Sequence, residues 1–462
     1  MSQTQSFFGL GDGLFIVLIV QVSTSFCKSF FGSSQELSHT LNFCLTSAAL
    51  ESSKLLVCTA YSQISFGLQL LRIGWQSGFQ SSTSQFFRLL DGHGTDQDRL
   101  VALEEALVRA VKLDPEGVEA WNLLGSELWD KGDLDCARHC FEYSGRLRPN
   151  GEGLRQLSIL RRQLAKREGG AGGGEGQPHR KAVEQSVEEA KQAVGLDIAD
   201  GHSWYVLGNA YLALYFTDVA AGLGVLQKSL KAYQNAERNG APEEADLCFN
   251  RGTVCRYLNR YQDALDSFKE AQGLDANLPC AAQIRGLVHT LSQLTTLTQA
   301  KCHLKPRKIA TLASTIAEAC AGLGRERAAA RTVESLEEGT NRGAALNCKI
   351  LQSLSDESDV PLFFVAIDSA GACFALMVFG LKHSAIKQNA VLTLLDPVLH
   401  SVAVRHEGKE LAFQALRMEG ESAEKKILIG GKPLVGASLA PVMSSTLFNQ
   451  GNAAQGPPGS AQ

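Results

Sequence analysis

Few residues of this chain have the types and spacing to do chemistry, and those that do are suited to holding a partner. Arg162 offers a guanidinium, Asp246 a carboxylate, and Asn209 and Asn250 offer amides, all within segments of helical periodicity. A hollow displaying one guanidinium and one carboxylate suits a peptide that carries an arginine and a glutamate close together, because a guanidinium grips a carboxylate bidentately. Cys280 stands on its own helix where Asp246 stands on an earlier one. Cys136, His139 and Cys140 fall within about one helical turn, which is too few ligands for zinc. Gly9-Leu-Gly11-Asp-Gly13 has neither the strand before it nor the helix after it that a dinucleotide loop needs. No Walker A loop, Gly-x-Ser-x-Gly elbow or His-Glu-x-x-His pair occurs. The expectation is a non-enzymatic protein with no cofactor and no metal.

The elements that position these residues are paired helices. Trp121-Asn-Leu-Leu-Gly125 runs through Leu128, Gly132, Ala137, Phe141 and Ser144 to Pro149, the spacing of the 34-residue tetratricopeptide (TPR) unit. Gly125 and Ala137 are small enough for two antiparallel helices to approach closely, and Trp121, Leu124, Leu128 and Phe141 fill the seam. Pro149 cannot extend the second helix and starts the turn into the next unit. One helix pair cannot bury its apolar faces, so neighbours are required. Leu103, Leu107 and Ala110 before Leu113-Asp-Pro115 form the second helix of an earlier unit. A helix over 153–166 follows the Trp121 unit, then a glycine-rich insert from Gly169 to Pro178, and the partner helix with Val187, Ala190 and Ala193. A further unit carries Trp204, Leu207, Gly208, Tyr211, Ser229, Tyr233 and Ala236, with about ten residues inserted around 216–226. The last carries Cys248, Gly252, Ala264, Phe268 and Ala271, and a helix over 280–299 caps the array. In chaperone-binding arrays of this kind, groove asparagines join lysines to clamp a C-terminal carboxylate. Here Tyr205 and Asp246 stand where those lysines would be needed, which argues against a chaperone cofactor.

After the array the periodicity changes. Lys301-Cys-His-Leu-Lys-Pro-Arg-Lys308 is a basic run, and Lys305, Arg307, Lys301 and Lys308 supply charges of the kind that contact phosphate. Alternating segments then run Ala345 to Leu354, Val360 to Asp368, Ala372 to Gly380, Ala390 to Leu395, Leu399 to His406, Lys409 to Met418 and Lys426 to Gly430. Ser369-Ala-Gly371 and Glu407-Gly408 read as hairpin turns. Short strands without a long intervening helix predict a small closed or partly open barrel. The expected organisation is an atypical N-terminal segment of low order over 1–95, a repeat domain over 96–300, a basic linker over 301–342, a barrel over 343–445 and a disordered tail over 446–462. The fold class is α + β multidomain: a TPR α-helical superhelix followed by a small OB-type (oligonucleotide/oligosaccharide-binding) β-barrel.

Composition narrows the function. The chain has 462 residues, formal net charge −4 and 20% charged residues, which argues against a nucleic-acid binder along its whole length. Twelve cysteines lie without paired Cys-x-x-Cys spacing, which suits a reducing compartment. The apolar run Leu14 to Val20 is too short to span a bilayer and has Asp12, with no Lys or Arg, before it; no secretion and no membrane partner are expected.

The strings AVKLDP, SWYVLGNAYLALYF and YQDALDSF, with VPLFFVAIDSAGACFALMVFG, HEGKE and GGKPL further on, closely resemble the tetratricopeptide repeat protein 5 family, over about residues 100–300 and 343–445. The resemblance implies an adaptor, cytoplasmic and nuclear. In the nucleus it would assemble an acetyltransferase coactivator with an actin-nucleating cofactor during stress. In the cytoplasm it would read the Met-Arg-Glu start of nascent tubulin at the ribosome and recruit an mRNA-decay adaptor. It implies that Arg162 and Asp246 contact that peptide, that Cys280 replaces a glutamate of the family's reader, and that Lys305 and Arg307 touch ribosomal RNA. The alternative is a single-stranded nucleic-acid or chromatin-binding protein acting through the barrel. In that case Phe363, Phe364, Phe374 and Phe379 would form a stacking platform, although such alternating phenylalanines more often make core.

Overall fold

The structure, a computed structural model, describes residues 96–170, 177–217, 222–241, 245–321, 329–355, 361–419 and 425–434. The expectations for residues 1–95, for the middle of the glycine-rich insert and for 446–462 lie outside the described residues. The chain divides into two compact units, residues 1–120 and 121–462, and the repeats from Trp121 onward share the second unit with the sheet.

Helices occupy α1 (Asp96–Leu113), α2 (Val118–Asp130), α3 (Leu134–Leu147), α4 (Gly151–Gly170), α5 (Gln177–Leu196), α6 (Gly201–Thr217), α7 (Gly222–Arg238), α8 (Ala245–Tyr257), α9 (Tyr261–Leu274), α10 (Cys280–Gln299) and α11 (Pro306–Ala321). From α2 to α9 they pack as hairpins, and α10 closes the array over the residues expected for a cap. The lock within a hairpin is a small residue under an aromatic ring. A Cβ on Gly208 would come within 2.5 Å of the Tyr233 ring, so glycine is what lets α6 and α7 close up. Gly125 under Phe141 and Gly252 under Phe268 repeat the device. The α4/α5 hairpin departs from it. Ser158 takes the glycine place and donates to Ser186 O at 2.8 Å, while Ala190 stands where the other second helices carry an aromatic.

Between α10 and α11, Lys301, Cys302 and His303 all take left-handed φ (46°, 51° and 54°). Each such non-glycine residue costs about 1–2 kcal/mol. Pro306 then opens α11, where a missing N–H is harmless.

Strands are β1 (Ala329–Arg331), β2 (Gly339–Thr340), β3 (Ala344–Ser353), β4 (Leu362–Asp368), β5 (Cys373–Val378), β6 (Val391–Leu395), β7 (Val398–His406), β8 (Lys409–Met418), β9 (Ile427–Ile429) and β10 (Lys432–Pro433). They form one sheet in the order β10-β9-β6-β3-β4-β5-β8-β7-β2, with β1 alongside β3. β5 and β8 are parallel; β3-β4-β5 and β7-β8 are antiparallel. β6 and β7 are two lengths of one run, bent at Asp396 (φ 48°) and Pro397, and they carry the path from the β3 edge round to β8. The result is a curled OB-type barrel. Both expected turns form. Glu407 and Gly408 have φ of 47° and 77°, the pattern of a type I′ hairpin. At the other, the buried Asp368 carboxylate accepts from the N–H groups of Ala370, Ala372 and Val333, each at 2.9 Å.

Both faces of the sheet are covered. Leu346, Ile350, Phe364, Phe374, Leu376, Leu394 and Leu416 fill the interior. Phe363, Val365, Met377, Phe379, Val404 and Phe413 point the other way, into one continuous core with α8, α9 and α10. Arg417 fixes this seam. Its guanidinium is 1% exposed, lies 3.8 Å over the Phe379 ring, and donates to Tyr257 O (2.7 Å) and Asn259 Oδ1 (3.0 Å) while also bonding Glu419. Tyr261 donates to Met377 Sδ, and Arg405 N–H to Gln262 Oε1.

Candidate functional site

Of the residues singled out by type, four lie on first helices of the array, and a hydrogen bond links two of them, Asn209 and Asn250. Arg162 lies on α4, Asn209 on α6, and Asp246 and Asn250 on α8, all of them first helices of hairpins, which line the trough of a helical repeat. Tyr233, read from the sequence only as a repeat position, joins the Asn209–Asn250 pair. Its hydroxyl donates to Asn209 Oδ1 at 2.7 Å, and Asn250 Nδ2 donates to the same oxygen at 3.2 Å.

Arg162 is 2% exposed and makes one hydrogen bond, from Nη1 to Ser158 Oγ at 2.9 Å. Among the described residues Nε and Nη2 have no partner. Burial pulls its pKa down to about 10, against the opposing influence of Tyr233, Tyr205 and Glu189. Glu189 is close enough to favour its charge but forms no hydrogen bond to it: Oε1 is bonded by the neighbouring Arg161, which also reaches Glu142 at 3.0 Å, and Oε2 has no partner among the described residues. Burial raises Glu189 to about 7, with Arg161 holding it down. A buried guanidinium with two open nitrogens is set for a carboxylate supplied from outside, because leaving a charge unpaired in the interior is strongly unfavourable.

Asp246 is half-buried in the first turn of α8. Burial raises its carboxyl, and the like charge of Asp275 raises it further. Asn250, one turn along, is fully buried, and its Oδ1 has no partner among the described residues. Cys280 starts α10 at the place matching Asp246, but it is 0% exposed and packed into the apolar core with Leu247 and Phe268. It offers a guest neither charge nor accessible surface, since the apolar packing at the head of α10 has drawn it inward.

The basic run lies elsewhere, at the start of α11. Lys301, Lys305, Arg307 and Lys308 are all exposed, and none forms an ion pair among the described residues. Three of them surround the first turn of α11, which contains no acid. Cations at a helix N-terminus oppose its dipole, so folding gains nothing from them.

The four phenylalanines of the barrel are core. Phe364 and Phe374 face the interior, and Phe363 and Phe379 meet the helices, none more than 7% exposed. No base can stack on them while the seam is closed. Cys136, His139 and Cys140 do not form a metal cluster, nor does any other group of three such residues among the described residues. No helix among them is long and apolar enough to cross a membrane.

With this geometry, the comparisons with known proteins are specific. Residues 327–443 match the Tetratricopeptide repeat protein 5 OB fold domain, and residues 217–279 match the tetratricopeptide repeat. The chain is 35% identical to Tetratricopeptide repeat protein 5 of Mus musculus over 352 residues, covering 73% of this chain and 78% of the relative. It is 34% identical to the Homo sapiens protein over the same length. The chain belongs to the tetratricopeptide repeat protein 5 family. Among solved structures, part of it overlays on YrrB, described as a TPR protein with an unusual peptide-binding site (TM-score 0.30, 18% identity, 41% of this chain and 85% of that one). It also overlays on a thermophilic TPR protein of Thermus thermophilus (TM-score 0.32, 17% identity, 42% and 92%). As a family member with a TPR array, the chain is a protein-binding adaptor of a generally non-enzymatic kind.

Proposed function

We propose that this adaptor holds the N-terminal peptide of nascent tubulin in its trough at the ribosome and recruits an mRNA-decay adaptor, so that tubulin mRNA is degraded. The observation that carries the reading is the state of Arg162, a buried cation with two open nitrogens in the trough wall. A Met-Arg-Glu start supplies a carboxylate for that guanidinium, while Asp246 takes the peptide's arginine. Asn209 and Asn250, both buried, back the peptide site from within the trough wall. Lys305 and Arg307, flanked by Lys301 and Lys308, contact ribosomal RNA through phosphate; their exposure and lack of partners support this. The same family membership supports a nuclear role in which the adaptor scaffolds an acetyltransferase coactivator and its actin-nucleating cofactor in the stress response. We place the protein in both cytoplasm and nucleus, with the repeats over 96–300 and the barrel over 343–445 as its working parts.

Two variants separate the surfaces. In a pull-down with a peptide beginning Met-Arg-Glu, Arg162→Ala abolishes capture; capture that survives contradicts the reading. Lys305→Glu with Arg307→Glu abolishes co-sedimentation with ribosomes and leaves peptide capture unchanged; ribosome binding that persists removes the RNA contact.

A further inference from the structure

The second helices of the hairpins treat their cations differently. On α3 and α5 a cation sits about one turn from an acid: Arg138 bonds Asp135 at 3.4 Å, Arg180 bonds Glu184 at 2.9 Å and Lys191 bonds Glu188 at 3.3 Å. Such pairs make a helix surface that is solvated and close to neutral. α7 departs from this. Its one acid is Glu237, and Arg251 of α8 bonds it. Lys231 and Arg238 are exposed, and neither forms an ion pair among the described residues. Lys228, one turn before Lys231, adds a like charge.

These cations do not stand on a flat surface. α7 and the turn between α8 and α9 border a groove of about 360 Å³. Lys231, Gln234 and Arg238 follow one another at helical spacing along α7, and Arg260 comes from the turn. Leu230 and Leu258 supply apolar lining. No acid is part of that lining. Arg260 bonds Asp263 at 2.6 Å, but the two side chains are 50% and 48% exposed, so water screens that pair and it opens at little cost. The groove therefore gathers cations on a chain whose formal net charge is −4. Like charges brought together oppose one another, so folding gains nothing from this arrangement.

Two requirements define what would fill the groove. The guest must be anionic, to answer Lys231, Arg238 and Arg260, and it must bring apolar surface to Leu230 and Leu258. A phosphate backbone meets only the first. A protein segment in which acidic side chains flank a leucine-sized one meets both, and Gln234 offers its amide to the backbone of such a segment.

We propose that the groove beside α7 is a second docking site, for a partner protein's acidic segment that carries an apolar side chain. First helices line the trough of a helical repeat and second helices its outer surface, so the two sites are separate. One chain can then hold a guest at each, which is what joining two proteins requires. The inference does not rest on what the trough binds.

The test uses the full chain and fluorescence anisotropy at low salt, with three labelled probes: a short peptide of glutamates with leucine at every third place, its counterpart with glutamine for glutamate, and a uridine oligomer of the same length. Lys231→Glu with Arg238→Glu alters exposed side chains only, and an unchanged melting temperature verifies that the fold is kept. The expected result is that the acidic peptide binds wild type and that this double variant weakens it on the order of tenfold. The glutamine peptide should show no binding. Lys305→Glu with Arg307→Glu, in the other basic region, should leave the acidic peptide bound as before. Equal weakening by the two double variants reduces the attraction to general charge and overturns the site. Tighter binding of the uridine oligomer at the groove, or no binding of the acidic peptide to wild type, overturns it as well. Capture of the Met-Arg-Glu peptide should be the same in wild type and Lys231→Glu/Arg238→Glu; its loss overturns the separation of the two sites.

Discussion

Among the described residues two arginines are buried almost completely, and they are buried for opposite reasons. Arg417, in the seam between barrel and repeats, donates to a backbone carbonyl, an asparagine and a glutamate, and lies over an aromatic ring. Arg162, in the trough, has one serine hydroxyl. Both are enclosed to a similar degree, 1% and 2% exposed, so burial alone does not distinguish them. Partnership does. Arg417 leaves only Nη2 open, whereas Arg162 leaves both Nε and Nη2 open. A buried charge mostly bonded within the chain holds the chain together, and one left largely open works against folding until something else fills it. The seam is therefore structure, and the trough is the receptor of the proposed function.

This contrast predicts effects of opposite sign. Arg417→Leu strands Tyr257 O, Asn259 and Glu419 and should lower stability by about 3–5 kcal/mol in denaturant titration. An unchanged midpoint would mean the seam does not depend on it. Arg162→Leu removes an unpaired interior cation and should raise stability by about 1–3 kcal/mol, read by the same titration; a loss of similar size would show that Arg162 is paired after all. Tyr233→Phe keeps the ring over Gly208 but deletes the bond to Asn209, and should lower stability by about 1 kcal/mol. The smallest effect concerns pH. The Glu189 carboxyl is raised to about 7 from an ordinary 4.5, so in the folded state it holds its proton longer. Its contribution is complete below about pH 4.5 and is lost as pH rises through about 7. Glu189→Gln should flatten that decline between about pH 5 and 8, and an unaltered slope would assign the titration to another group.

Much of the fold was legible because its periods are clean. The glycine–aromatic spacing of Gly125 with Phe141 and Gly252 with Phe268 marks helix pairs, and the start of α10 and its end follow from the apolar run between Cys280 and Gln299. The alternating segments gave the six longer strands of the sheet and the position of the three-residue β9, while β1, β2 and β10, of two or three residues, are too short to show a period. What alternation could not reveal is that both sides of β4 are covered. Leu362 to Asp368 is apolar on both faces, which reads as a strand buried twice but does not say against what. The candidate site was legible only as residue types. Arg162 looks the same in a sequence whether its guanidinium is solvated or enclosed; that depends on residues distant in the chain, with Tyr233 and Tyr205 arriving from the next hairpin. Cys280 was misleading for a related reason: its helical position matches Asp246, but apolar packing at the head of α10 turns it inward.

The account stands or falls on whether the open guanidinium is a carboxylate receptor. The direct measurement is a double-mutant cycle by isothermal titration, pairing wild type and Arg162→Ala with peptides beginning Met-Arg-Glu and Met-Arg-Gln. A coupling energy of about 1.5 kcal/mol or more is predicted. Additive losses, or a Met-Arg-Glu affinity that Arg162→Ala leaves untouched, would contradict it.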